Sequence, residues 1–378
     1  MNFNHTEDRR MLSDTLLRFI ADKYPFELRN AAAHSARGYN SEIWSQLAEL
    51  GVIAALFSED DGGFGGAGFD LAVVFDAVGR GLMVEPFLDS ALLAGGTIAA
   101  SGNEAQKTIL DGIINATTLA SFAHYERSGR YELAAVGTTA AQRGGGWTLN
   151  GTKSVVRFAE AADTFVMSAR TSGTARDEDG ISLFLVPAAT EGLTVKGYTT
   201  VDGGRAAEVI LDHVDLSQSA LLGECGTGYP VIEKVIGRGI VALCAEAVGA
   251  MEVVRDATVE YMQTRKQFGV PLGKFQALQH RMAELLIEIE MARSAVINAA
   301  AALSKQRLER ERALSAAKHT IGCIGQKVAE EVIQLHGGMG MTWELPLGHY
   351  AKRLVMIDHE LGDEDHHLSR YIALGQTP

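Results

Sequence analysis

The spacing of apolar residues changes twice along this chain, and that change limits the fold more than any single motif. In the first third the spacing is helical. Leu12, Leu16, Phe19 and Ile20 share one face of a helix with Thr6 as its candidate N-cap, and Ile43, Trp44, Leu47 and Leu50 form a second stripe. The glycine-rich stretch 58–66 interrupts this pattern, as a loop with several positive-φ positions would, and helical spacing resumes from 71 to about 115. Between roughly Leu119 and Gly228 the period drops to two, over 147–149, 165–167 and 181–186, with turn signals such as Leu149-Asn150-Gly151. From Tyr229 on, long helical stretches return at 237–265, 278–304 and 308–335, with a shorter one near Leu368. The predicted fold class is α+β multidomain. It comprises an N-terminal α-helical domain over 1–118, a middle antiparallel β domain (barrel or sandwich) over 119–228, and a C-terminal four-helix bundle over 229–378.

Composition removes several function classes. A chain of 378 residues exceeds what one hydrophobic core organises, so two or three domains are expected. No apolar run approaches the ~18 residues of a membrane span, so no membrane insertion is expected. The first ten residues lack the basic-then-apolar order of a secretory signal. Cys225, Cys244 and Cys323 lie too far apart for metal-ligand spacing and read as buried structural thiols in a reducing cytoplasm, with no metal site. The net charge of −13, without a Lys/Arg block, argues against nucleic acid as a partner. A nucleotide or CoA ligand needs only a few local cations and stays open.

Two segments of the last third could supply such contacts. Arg265-Lys266-Gln267-Phe268-Gly269 offers a planar fork of donors suited to a diphosphate. Gln334-Leu335-His336-Gly337-Gly338-Met339-Gly340 offers backbone N–H groups unshielded by a Cβ at Gly337 and Gly338. Gln276 and Gln334 could add directional hydrogen bonds. Either segment alone reads as ordinary helix-end chemistry.

Together with the order of the domains, these two segments resemble the acyl-CoA dehydrogenase family. So do Gly102-Asn103-Glu104-Ala105-Gln106-Lys107 ahead of the β region, Leu149-Asn150-Gly151-Thr152-Lys153 as a hairpin, and Leu221-Leu222-Gly223-Glu224 with Gly226 and Gly228 at the exit. The resemblance covers most of the chain. It implies FAD as cofactor and an acyl-CoA substrate, with Arg265, Gln267, Phe268, Gln276, Gln334, Gly337 and Gly338 as cofactor-binding residues. In the family these two motifs reach across a dimer interface to a neighbour's FAD. The flavin ring is held by the chain's own β domain, through a Thr-Glu-Pro-Gly-Ala-Gly-Ser-type loop and a Trp-Ile-Thr-type strand.

At those ring-binding positions this sequence departs from the family. The loop reads Phe122-Ala123-His124-Tyr125-Glu126-Arg127-Ser128-Gly129 and the strand Val155-Val156-Arg157, so only Glu126 and some glycine remain. The family's catalytic Glu removes the α-proton of the thioester. Counted from Gly337-Gly338, its position holds Leu361, and the alternative position used by some relatives falls near Gly239. Glu360 and Asp363 flank the first of these and are weak candidates for a relocated base. Otherwise Glu360, Asp363, Glu364 and Asp365 read as a solvated acidic loop, and the pair His366-His367 would face different directions on any regular element, which argues against a metal site.

The resemblance is strongest to the small, non-catalytic subunits of heteromeric acyl-CoA dehydrogenases, of which the pimeloyl-CoA type is one. On that reading the chain is an FAD-binding subunit for α,β-dehydrogenation, with a partner supplying the Glu and an electron-transfer flavoprotein as acceptor. It would form a homo- or hetero-oligomer, dimer or tetramer, with a related subunit. The alternatives are a self-sufficient homo-oligomer using Glu360 or Asp363, and a non-enzymatic regulatory protein on the same fold.

Overall fold

A computed structural model describes residues 6–376. In chain order the first helices are α1 (Glu7–Lys23), α2 (Phe26–Ala33), α3 (Ser41–Glu49), α4 (Gly68–Gly81), α5 (Gly96–Ser101) and α6 (Glu104–Ile114). The sheet region follows with β1 (Ala120–Ala123), β2 (Thr139–Arg143), β3 (Gly146–Arg157), β4 (Thr164–Arg170), β5 (Ile181–Pro187), β6 (Leu193–Thr199), β7 (Arg205–Ser217) and β8 (Leu221–Leu222). The last part holds α7 (Tyr229–Thr264), the ribbon β9 (Lys266–Gln267) and β10 (Val270–Pro271), α8 (Gln276–Ala302), α9 (Arg307–His336), α10 (Pro346–His359) and α11 (Glu364–Gln376). The helical, β, helical order inferred from the apolar spacing is thus the order observed. Helix α10 is an addition to the stretches read from the sequence.

The chain divides into two compact units: Met1–Arg29 with Ala67–Met83 and Ile240–Pro378, and Asn30–Gly66 with Val84–Gly239. In the first unit Thr6 caps α1 as expected, its hydroxyl accepting from the Arg9 N–H. Of the predicted stripe only Leu16 is fully buried; Leu12, Phe19 and Ile20 are half-covered. Helices α4 and α7 touch backbone to backbone because each places a glycine at the crossing. A Cβ on Gly79 would overlap the Glu246 carbonyl, and one on Gly249 would overlap the Asp76 carbonyl.

In the second unit the strand order is β6-β7-β3-β2-β4-β5-β8, with β1 also on β4. The sheet is not wholly antiparallel, because β1 and β2 both meet β4 in parallel. Parallel neighbours need a long connection, and between β1 and β4 the β2–β3 hairpin provides it. Phe165, Met167, Phe184, Val209, Leu211 and Val214 fill the core. Asn150-Gly151 is not the hairpin turn its composition suggests. It lies inside β3, where the register against β7 shifts, and Gly151 takes φ 154° at that irregularity while Asn150 Oδ1 accepts from the His213 N–H. The turn is made instead by Gly144 and Gly145, both at positive φ.

Among the segments before the sheet, Phe87–Gly95 winds as a π-helix whose nine residues are all buried. Ile43, Trp44 and Leu47 are buried on α3 as expected, whereas Leu50, just past its end, is exposed. The glycine-rich stretch has two positive-φ positions, Gly62 and Gly66. Only Cys244 is the buried thiol predicted; Cys225 and Cys323 are exposed. Among the described residues no helix is long and apolar enough to cross a membrane, and no cluster of His, Cys, Asp and Glu could hold a metal ion.

Candidate functional site

The two motifs of the helical unit are brought together by a pair of rings. Tyr261, one turn before Arg265, stacks on His336 with centroids 4.3 Å apart, and its hydroxyl donates to the His336 carbonyl at 3.3 Å. Sequence reasoning missed Tyr261, since nothing in its spacing separates it from other helical aromatics. Burial holds His336 below its ordinary pKa, and Nδ1 donates to the Val332 carbonyl. The imidazole is therefore a neutral, fixed platform.

Beyond Tyr261, the β9–β10 ribbon turns through Phe268 (φ 53°) and Gly269 (φ 80°), the two positive-φ residues a tight hairpin needs. Phe268 stands 93% exposed at its tip. Left-handed backbone at a non-glycine costs ~1–2 kcal/mol, and solvent offers the ring nothing in return. The Arg265 guanidinium has no acidic partner among the described residues, and the side-chain amides of Gln267, Gln276 and Gln334 have no hydrogen bond there. At the end of α9, Gly337 (φ 59°) and Gly338 have nothing within 4 Å of where a Cβ would stand. Met339, Met341 and Trp343 follow, all exposed. This face carries unused donors beside uncovered apolar side chains. It fits the diphosphate-bearing part of a dinucleotide: a free bidentate cation, three amides and open backbone.

The β-domain positions differ in that their polar groups are already engaged. Glu126 is buried and accepts from Lys153 Nζ at 2.7 Å and from the N–H groups of Gly137 and Thr138 at 2.8 and 2.9 Å. Lys153, fully buried, also donates to the His124 carbonyl and to Ser168 Oγ, each at 3.1 Å. Burial alone would raise the Glu126 carboxyl, but the Lys153 ammonium and these hydrogen bonds hold it below its usual range. Burial pulls Lys153 down to about 8 against the attraction of Glu126. It pulls His124 down to about 3, with the Lys153 charge acting in the same direction. The surviving Glu126 is therefore a buried anchor for the segment after β1.

Arg157 sits 3.8 Å from Asp89 on the π-helix and 3.9 Å from Asp202. Val155 has φ 55° and is exposed to solvent, where the register between β3 and β7 shifts.

The loop around Leu361 is tied from several sides. Leu361 takes φ 57° between α10 and α11. Lys318, buried in the middle of α9, donates to the carbonyls of Asp358 and Gly362 at 2.8 and 2.6 Å. His367 Nε2 donates to the Leu361 carbonyl at 3.0 Å. Arg353 holds Glu360 at 2.6 Å while gripping Glu246 with Nε and Nη2 at 2.6 and 2.9 Å. Asp363 caps α11 by accepting from the His366 N–H at 2.8 Å. Both candidate carboxylates thus have structural partners. Lys318, which holds the loop, gave no signal in an otherwise helical pattern.

Three family models match the chain in sequence: the acyl-CoA dehydrogenase N-terminal domain over residues 6–115, the middle domain over 121–214 and the C-terminal domain over 226–369. A probable acyl-CoA dehydrogenase, YngJ of Bacillus subtilis (strain 168), is 28% identical over 384 residues, covering 100% of this chain and 99% of that protein. A solved variant of the Tcur3481-Tcur3483 steroid ACAD is 29% identical with a TM-score of 0.87, covering 97% of each chain. The ChsE4-ChsE5 complex from Mycobacterium tuberculosis is 25% identical with a TM-score of 0.90, covering 100% of each.

Proposed function

This chain belongs to the acyl-CoA dehydrogenase family of oxidoreductases, and from that premise we propose that it is an FAD-binding subunit in the α,β-dehydrogenation of an acyl-CoA thioester, assembled with a related subunit that supplies the catalytic Glu. FAD, when bound, supplies the acceptor for the β-hydrogen, and an electron-transfer flavoprotein takes the electrons onward. Arg265 would hold the diphosphate as a bidentate cation, with Gln267, Phe268, Gln276 and Gln334 around it and the backbone of Gly337 and Gly338 closing over it. The protein acts in the cytoplasm, and the partner resembles the heteromeric relatives in being a second chain of the same family.

One observation carries this reading: the donors that in the family serve a neighbouring subunit's cofactor are unengaged, while the groups at the chain's own ring and base positions are bonded elsewhere or replaced. Leu361 cannot take a proton, and Glu360 and Asp363 are held by Arg353 and by the α11 N-terminus. Absence of a general base lowers a rate by at least ~10²–10⁴-fold. The test is turnover of acyl-CoA with an artificial electron acceptor, measured for the chain alone and after co-expression with its related neighbour. Activity only in the pair supports the proposal. Robust activity of the chain alone, abolished by Glu360→Gln or Asp363→Asn, replaces it with the self-sufficient homo-oligomer.

A further inference from the structure

Helices α1, α4, α7 and α8 of the helical unit line a pocket of about 390 Å³ that shares no residue with the Arg265–Gly338 face or the loop around Leu361. Leu17 comes from α1, Phe69 from α4, Val248 from α7 and Ile297 from α8, so each helix contributes apolar wall. Repacking of side chains cannot close it, because backbone contacts set the spacing of the helices. A Cβ on Gly68 would overlap the Ala300 carbonyl, which fixes α4 on α8, just as Gly79 and Glu246 fix α4 on α7. The pocket is therefore preformed.

One end of it is polar, and the charges there are already matched. The Arg80 guanidinium pairs with Asp76 at 2.7 Å and with Glu252, while Arg293 pairs with the same Glu252 and, at 3.4 Å, with the exposed Glu290. Two cations thus face two close carboxylates, Asp76 and the buried Glu252, with a third outside. The carboxylate of a fatty acid or the phosphates of CoA would find no uncompensated cation at this end. A guanidinium has five N–H donors, however, and those beyond the ion pairs can still serve a neutral oxygen. Along the rest of the wall water finds few partners, and an apolar group that displaces loosely held water gains affinity. A dry cavity of about 150 Å³ takes benzene, so one of about 390 Å³ accommodates on the order of fifteen heavy atoms.

We infer that this pocket binds an uncharged amphiphile, an aliphatic body carrying one hydroxyl or carbonyl oxygen, with that oxygen toward Arg80 and Arg293. The inference stands apart from the acyl-CoA reading. Its chemistry is recognition only, with no bond made or broken.

The test titrates the purified chain and the assembled protein with hexanol, octanol and decanol, read by displacement of the neutral fluorescent probe N-phenylnaphthylamine. Each step of two methylenes should tighten binding about tenfold, the change expected when both are buried. Decanoate and decylammonium should bind at least about tenfold more weakly than decanol, since each brings a charge without a counter-charge. Ala72→Phe fills the space from a half-buried position, and should abolish decanol binding while leaving the melting temperature equal or higher. If that variant fails to fold, Ile297→Trp, also half-buried, carries the same expectation. Absence of saturable displacement by decanol overturns the inference, as does affinity that does not rise with chain length or binding that survives the filling variant. Decanoate binding as tightly as decanol, and lost in the same variant, assigns an anion to the pocket and overturns it too. Decanol binding to the chain alone but not to the assembled protein assigns the pocket to an apolar side chain of a partner, with the same consequence.

Discussion

The Arg265–Gly338 face and the Glu126–Lys153 region have similar polar inventories put to opposite uses. In the helical unit Arg265, Gln276 and Gln334 are exposed and unbonded, beside Phe268 and Met341, which stand in solvent. In the β domain Glu126, Lys153, His124 and Ser168 are buried and bond to one another. Groups that complete each other stabilise a fold, whereas groups left open await something from outside it. A sequence motif does not distinguish these cases. Glu126 reads as a remnant of a flavin loop until its oxygens are found on Lys153 and two backbone N–H groups.

The largest expected effect would break the comparison on the β-domain side. Lys153→Met leaves the Glu126 carboxylate buried without its counter-charge and should cost ~3–5 kcal/mol of stability, read by denaturant unfolding. Loss of less than ~1 kcal/mol would mean that Glu126 is not held as an anchor and is available to a ligand. Arg265→Ala should do the converse. Stability should stay within ~0.5 kcal/mol of the parent, while FAD retention by the assembled protein weakens by ~1.5–3 kcal/mol, or roughly tenfold to a hundredfold. Arg265→Lys should restore only part of this, lacking the planar fork. FAD affinity unchanged in Arg265→Ala would remove that face from the site.

A further effect concerns pH and sharpens the picture of the β-domain cluster. His124 is neutral when folded, its pKa depressed by burial to about 3, so the unfolded chain takes up the proton first as pH falls. Stability tied to His124 is therefore intact above ~6.5 and declines from there toward about 3, with a slope near one proton, ~1.4 kcal/mol per pH unit. The depressed Glu126 adds a loss of the same sign, present above its unfolded pKa and lost as pH falls through the folded one. His124→Asn should flatten the stability profile between pH 6 and 4 by about one proton. Identical slopes in the two proteins would place His124 in contact with water.

Much of the architecture was legible because hydrophobic period is a backbone property. The helical stretch read at 308–335 lies within α9, and the runs at 147–149, 165–167 and 181–186 fall in β3, β4 and β5. Legibility ended where tertiary partners decide. Asn150-Gly151 has turn composition, yet β2 and β7 flank it and draw it into β3. The run 87–95 looks like any apolar helix, and its π winding follows from no local signal. At the site, Arg265 and the paired glycines could be found from chemistry along the chain. The opposite was true of Lys318, Arg353 and the carboxylates on Arg157, whose roles depend on residues tens of positions away. Leu361→Glu illustrates the consequence. It restores a carboxylate by name, but with Arg157 tied to Asp89 and Val155 turned to solvent, it should give the isolated chain little turnover.

The central claim is that this chain offers cofactor contacts to another subunit and lacks its own. The most direct measurement is the FAD content of the purified chain, by absorbance against protein concentration, alone and co-purified with its related neighbour. The account predicts a colourless chain when alone and bound FAD only in the pair. One FAD per chain in the isolated protein, retained through gel filtration, would contradict it.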